Sequence, residues 1–227
     1  MFIRVSAFLI LGLAFAGFAH AADEAFQAGT NYYVIEPPQP SSTPGKVEVV
    51  EVFSYACPAC NAFQAQMKKV KAALPANAEI VYVPAAFRPD EDWPVFQRSF
   101  YAAQSLGILD KTHDATFDAI WKDDGTLRIS DPATRQRVKT MPTIEDVGTF
   151  YAKTAGIKAE DFTGVANSFA VNTKMKRADA QIKAYGVDST PTLIVAGKYR
   201  LTVTSAGGVD KVVPLVRFLI DKESAAK

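Results

Sequence analysis

The sequence predicts an α/β fold in which a sheet is interrupted by a helical insertion between its third and fourth strands. Three observations predict it. The β-branched stretch Val47-Glu48-Val49-Val50-Glu51-Val52-Phe53 passes into an amphipathic helix and then into another β stretch, Ala78 to Val83. Residues 92–185 carry only helical periodicity, broken by turn residues. The β pattern then returns at Thr192-Leu193-Ile194-Val195.

Residues 1–21 read as a signal peptide: a lone Arg4, an apolar run from Val5 to Phe18, and Ala19-His20-Ala21 as a small-x-small cleavage site. The apolar run is shorter than the roughly 20 residues of a membrane span and has no basic stop-transfer flank, so export with cleavage near Ala22 is the expectation. Asn31-Tyr32-Tyr33-Val34-Ile35-Glu36 is a short strand, closed by the Pro-rich connection Pro37 to Gly45. Val47–Phe53 is a largely buried strand. From Cys60, the apolar positions Phe63, Met67, Val70 and Leu74 recur every three or four residues, one face of a helix ending before Pro75. With Ala78–Val83 as the third strand, the strand-helix-strand connection implies parallel pairing through a right-handed crossover.

In the helical stretch, Phe96, Phe100 and Ala103 make one apolar face, and Phe117, Ile120 and Trp121 another, followed by the turn Asp123-Asp124-Gly125. Thr143 and Asp146 have the spacing of a capping box, with Asp for the usual Glu. Phe150 and Tyr151 are expected inside, and Gly156 is the stop. Asp161–Ala170 and Lys174–Tyr185 are two further helices, the latter ending at Gly186. Stripes of this kind are ordinary core. Thr192–Val195 then turns at Ala196-Gly197 into an antiparallel partner, Lys198–Thr204. Gly207-Gly208 leads into a last helix through Val212, Leu215, Phe218 and Leu219. The division is thus a signal peptide (1–21), an α/β domain in two parts (22–91 and 186–227), and an inserted helical domain (92–185).

The net charge of +1 and the lack of a basic tract argue against nucleic acid as a partner. The chain has two cysteines, Cys57 and Cys60, on the first turn of the helix that follows Val47–Phe53. Unpaired backbone N–H groups and the positive end of the helix dipole favour a thiolate at Cys57. Pro58 suits a first helical turn, its φ being already helical and its missing N–H having no partner to lose. Cys60 lies one turn on, so the sulfurs can close a small disulfide or open to a dithiol. Cys57 is then the exposed attacker and Cys60 the shielded, resolving thiol. A purely structural disulfide is the plainer explanation in an exported protein, but a bridge across Pro58 and Ala59 constrains almost no chain. A zinc site is weaker still, since beyond the leader the only histidine is His113, which is expected on a helix face.

Together, Phe53-Ser54-x-x-Cys57-Pro58-x-Cys60, the helical insertion, and Tyr185-Gly186-Val187-x-x-Thr190-Pro191-Thr192 leading into Gly197-Lys198-Tyr199 resemble the bacterial periplasmic DsbA family, thiol-disulfide oxidoreductases with a thioredoxin-like fold. The resemblance spans essentially the whole chain after the leader. It implies a periplasmic enzyme that donates its Cys57-Cys60 disulfide to reduced, unfolded exported proteins and works as a monomer. It also implies reoxidation by a quinone-linked membrane partner like DsbB, and no bound cofactor. Thr190-Pro191 is expected to be a cis peptide packed against Cys57 and Cys60, and Glu51 a partly buried carboxylate near them. One position departs from the family: Ala59 stands where histidine is common. Two other readings remain, a reductase or isomerase of the same fold, and a peptide-binding chaperone with an incidental CxxC.

Overall fold

The computed structural model describes residues 26–225. The expected signal peptide lies outside them. Five strands, β1 (Tyr33–Val34), β2 (Val47–Phe53), β3 (Ala78–Pro84), β4 (Thr192–Val195) and β5 (Tyr199–Leu201), form one sheet in the order β1-β5-β4-β2-β3. Only β2 and β3 are parallel, with Val47 opposite Ala78 and Phe53 opposite Pro84. Helix α1 (Pro58–Ala73) makes the crossover between them.

All seven residues of β2 are buried, which follows from its central place between β3 and β4. Because side chains alternate across a strand, Val47 and Val49 share one face and Val50 and Val52 the other. The first face packs against Phe63, Met67 and Val70 of α1 and against Val212, Leu215 and Leu219 of α8 (Val209–Ala225). The second meets Phe96 and Phe100 of α2 (Trp93–Ser105) and Phe117 and Ile120 of α3 (Leu109–Trp121). Glu48, buried on this second face, accepts hydrogen bonds from the Ser42 N–H (2.8 Å) and hydroxyl, tying the Pro-rich connection to β2.

The helices α2 to α6 all fall between β3 and β4, as the insertion requires. Helix α4 (Ile144–Ala155) opens with the expected capping box: the Asp146 N–H donates to Thr143 Oγ1 (3.2 Å), and the Thr143 N–H donates to Asp146 Oδ2 (2.9 Å). It ends at Gly156 with φ 75°, a left-handed cap that a residue without a side chain adopts freely. Of the two aromatics expected inside, Tyr151 is fully buried but Phe150 only partly.

Other boundaries differ from expectation. The helices expected over Asp161–Ala170 and Lys174–Tyr185 are α5 (Ala159–Ala166) and α6 (Phe169–Ala184). The break falls earlier because Ser168 caps α6, its Oγ accepting the Val171 N–H at 3.2 Å. The capped start leaves Phe169 86% exposed. The expected strand Lys198–Thr204 is shorter for a similar reason: Thr202 and Ser205 form a capping box that starts α7 (Val203–Ala206). The first strand shrinks to Tyr33–Val34, paired with Arg200 and Tyr199, and is followed by a cis Glu36-Pro37 bond that the sequence reading did not anticipate.

Candidate redox site

The site begins where β2 stops. The Cys57 N–H bonds the Ser54 carbonyl (3.1 Å) and the Ala56 N–H bonds Ser54 Oγ (3.2 Å), so Ser54 to Cys57 form a tight turn out of the strand. Cys57 is the N-cap of α1, with extended backbone (φ −88°, ψ 119°), and Pro58 is the first helical residue. No side-chain hydrogen bond closes this cap in the thiol form, and no acidic residue occupies the first turn. The helix terminus therefore offers donors to a negative group at the cap and places no charge against it.

Both cysteines are free thiols. Cys57 keeps 6% of its surface and Cys60 none. Their order of exposure is the expected one, but Cys57 is far more enclosed than an openly exposed attacker. Part of the cover is Thr190, whose carbonyl lies 3.6 Å from Cys57 Sγ and accepts from its thiol. Ionisation separates the pair sharply. The Cys60 thiol, as a donor to Cys57, brings the Cys57 pKa down to about 6; burial opposes this, while the Thr190 side chain and the backbone N–H groups of Cys60 and Ala59 reinforce it. Cys60 is pushed far above the ordinary thiol range, by burial first and then by Cys57. One sulfur is thus a ready anion and its neighbour a firmly held S–H.

Glu51 lies in the middle of β2, paired with Tyr82 on one side and Leu193 on the other. By strand alternation it shares the face of Val47 and Val49, the side covered by α1. It is completely buried rather than partly so, and neither carboxylate oxygen has a hydrogen-bond partner. Burial, and after it the charge on Cys57, pushes its pKa up to about 8. Its own charge in turn raises the pKa of Cys60.

Thr190-Pro191 is cis. It closes one side of a groove of about 470 Å³ whose lining includes Ala59, Phe63, Thr190, Pro191, Val203 and Val209. Ala59 is exposed at the rim, directly after Pro58. The groove is mostly apolar in its residue types and runs from the CxxC motif to the start of α8.

Two residues of α3 bond Tyr55, in the turn that leads into the motif. The Tyr55 carbonyl accepts from Trp121 Nε1 (2.8 Å), and the Tyr55 hydroxyl pairs with His113 Nδ1 (2.9 Å). His113 lies on a face of α3, as expected, and that face is the buried one: it is 8% exposed, and burial holds its pKa down at about 4, so the ring is neutral. The available signal was the four-residue spacing of His113, Phe117 and Trp121, which places them on one stripe of α3.

A family model, the DSBA-like thioredoxin domain, matches residues 48–214. The chain is 37% identical over 210 residues to the thiol:disulfide interchange protein DsbA of Pseudomonas aeruginosa, covering 92% of this chain and 91% of that protein. It is 35% identical over 222 residues to the protein of the same name from Pseudomonas syringae pv. tomato, covering 98% and 95%. Among solved structures it resembles the crystal structure of Pseudomonas aeruginosa DsbA with a TM-score of 0.73 at 36% identity, over 88% of this chain and 96% of that one. The oxidoreductase DsbA from Xylella fastidiosa gives 0.73 at 27% identity, over 86% and 96%.

Proposed function

The chain belongs to the DSBA-like thioredoxin domain family of thiol-disulfide oxidoreductases, and on that premise we propose that Cys57 and Cys60 are the pair through which it puts disulfide bonds into exported proteins. The observation that carries the reading is the split between the two sulfurs: Cys57 is an acidic thiol at a helix N-terminus, and Cys60 is a buried one held protonated.

In the oxidised enzyme a substrate thiolate attacks Cys57 Sγ. The Cys57–Cys60 bond breaks, its electron pair leaves on Cys60 sulfur, and a mixed disulfide joins substrate to Cys57. A second substrate thiolate then attacks the substrate sulfur of that mixed disulfide. Cys57 leaves as the thiolate, the substrate is oxidised by two electrons, and the enzyme is left as the dithiol. The acidity of Cys57 favours this last step, because a thiol of low pKa is the better leaving group. Cys60, leaving in the first step, must take a proton. The Glu51 carboxyl is the buried acid whose charge Cys60 feels, and with a pKa of about 8 it holds that proton at neutral pH.

Thr190 and Pro191 form the wall against which an extended substrate lies, with apolar side chains seated in the groove beside Ala59. Each turnover leaves a dithiol, so a reoxidant must follow; the family resemblance implies a quinone-linked membrane protein like DsbB. Residues 1–21 support periplasmic delivery, the strand-helix-strand order supports the division into 22–91, 92–185 and 186–227, and the enzyme acts as a monomer.

The test combines alkylation with exchange. Cys57 of the reduced protein should be modified with a midpoint near pH 6 while Cys60 stays unmodified in the folded state. Cys57→Ser should abolish the oxidation of a reduced, unfolded substrate. Preferential modification of Cys60, or oxidase activity surviving in Cys57→Ser, defeats the assignment. Equilibration with defined glutathione ratios then fixes the direction of exchange. One observation favours the reductase or isomerase reading: Ala59 brings no donor or charge to the thiolate, which leaves the disulfide a milder oxidant than a histidine there would.

A further inference from the structure

Tyr55 is held from three sides by one helix of the insertion. Its ring lies edge-on to Phe117 at 5.0 Å, its hydroxyl pairs with His113 Nδ1 at 2.9 Å, and its carbonyl accepts from Trp121 Nε1 at 2.8 Å. The three partners follow one another at intervals of four on α3, so they form a single stripe along its length. Tyr55 is 1% exposed and also stands edge-on to Phe53 at 5.0 Å. It sits in the turn whose next hydrogen bond, Cys57 N–H to Ser54 carbonyl, sets the N-cap geometry of α1.

We propose that α3 clamps Tyr55, and that this clamp, rather than any side chain inside the Cys-Pro-Ala-Cys motif, holds the turn in the pose that points the N–H groups of Ala59 and Cys60 at Cys57 Sγ. His113, Phe117 and Trp121 are then positioning residues for thiol-disulfide exchange, acting through Tyr55. The inference rests on the reading of Cys57 as the attacking thiol. It gives the insertion a role in the chemistry: the α/β part supplies the helix terminus, and the insertion aims it. It also accounts for how an alanine at position 59 is compatible with an acidic Cys57. Donors on the main chain act only at short range and in a narrow range of angles, so a turn free to shift would lose them. A Trp N–H to a carbonyl is a good anchor for such a turn because the indole is rigid and has no other donor.

The test uses the full-length protein and two variants that each remove one hydrogen bond while keeping an aromatic ring, Trp121→Phe and Tyr55→Phe. A third, Phe218→Leu, lowers stability in α8, where Phe218 packs on Phe26 and Tyr32 in the cluster on the other face of the sheet from α3. Trp121→Phe is expected to raise the Cys57 pKa and to move the glutathione equilibrium about threefold to tenfold towards the disulfide form, the size of one neutral hydrogen bond lost from the turn. Tyr55→Phe is expected to act in the same direction and by less. Phe218→Leu is expected to lower the melting temperature and leave both readings at the native values. Both aromatic variants leaving pKa and equilibrium unchanged, or all three shifting them in proportion to lost stability, overturns the clamp. Cys57→Ser, assayed alongside, reports separately on the underlying reading: if it still oxidises substrate, that reading has failed whatever the clamp variants do.

Discussion

Glu51 is costly to bury. A carboxyl taken wholly out of water with no hydrogen-bond partner resists ionisation, and its pKa of about 8 against an ordinary 4.5 measures how strongly. The unfolded chain releases this proton near pH 4.5, whereas the folded chain keeps it until about pH 8. Folding therefore carries no ionisation penalty from Glu51 below the first value, a penalty that grows between them, and a constant one above the second. Glu51→Leu, of similar size and without the charge, should stabilise the protein by up to about 3 kcal/mol more at neutral pH than near pH 4. Urea unfolding at the two pH values measures this. A gain that is the same at both would mean that shape, and not charge, sets the cost. On the proposal that Glu51 supplies the proton Cys60 takes as it leaves, the same variant should slow exchange, and an unaltered rate would leave Glu51 without that role.

Helix α1 sets the next scale, and Ala59 is its open question. Only the reduced form carries a thiolate, so whatever stabilises the thiolate stabilises the reduced protein and makes the disulfide a stronger oxidant. Ala59 is exposed at the first turn, where a histidine would add a donor or a positive charge beside Cys57. Ala59→His should lower the Cys57 pKa below about 6 and raise the oxidising power, by roughly 30 mV for each ~1.4 kcal/mol of added thiolate stabilisation. Thiolate titration and the glutathione equilibrium, run on both proteins, decide it; a variant equally or less oxidising contradicts the argument. Helix α1, β2 and β3 were legible in the sequence because their periods and breakers agree, and the dithiol was legible because its residue types are rare. The start of α6 was missed because the cap Ser168 stands within the alanine- and phenylalanine-containing run Phe162 to Ala170, where hydrophobic spacing suggests continuation. The end of β5 was missed because Thr202 suits a strand as well as a cap. The contacts of Tyr55 with His113 and Trp121 join residues far apart in the chain, and no local pattern announces which face of α3 will meet the turn.

At the scale of the whole molecule, the acidity of Cys57 links redox state to stability. Its pKa falls on folding from an ordinary 9.0 to about 6, so the folded reduced protein gains stability as pH rises through that interval and loses it as pH falls through about 6. The disulfide form has no such thiolate. The stability of the reduced form relative to the oxidised one should therefore be flat below about pH 6 and climb by up to about 1.4 kcal/mol per pH unit above it. Denaturation of both forms across that range checks it, and a gap that ignores pH would remove the assigned acidity.

The strand order also has a meaning in time. In the sheet, β2 lies beside β4, but along the chain the five helices α2 to α6 separate them. A growing chain therefore presents Cys57 and Cys60 long before Thr190 exists to cover Cys57, and before β4 and α8 exist to complete the sheet and the face on which Glu51 is buried. Until that late segment arrives, both sulfurs are ordinary thiols on an unfinished strand and helix, without the cover or the buried acid that set them apart. The enzyme's own dithiol thus begins as the kind of substrate it serves, and becomes a catalyst only when the last part of its sheet has been made.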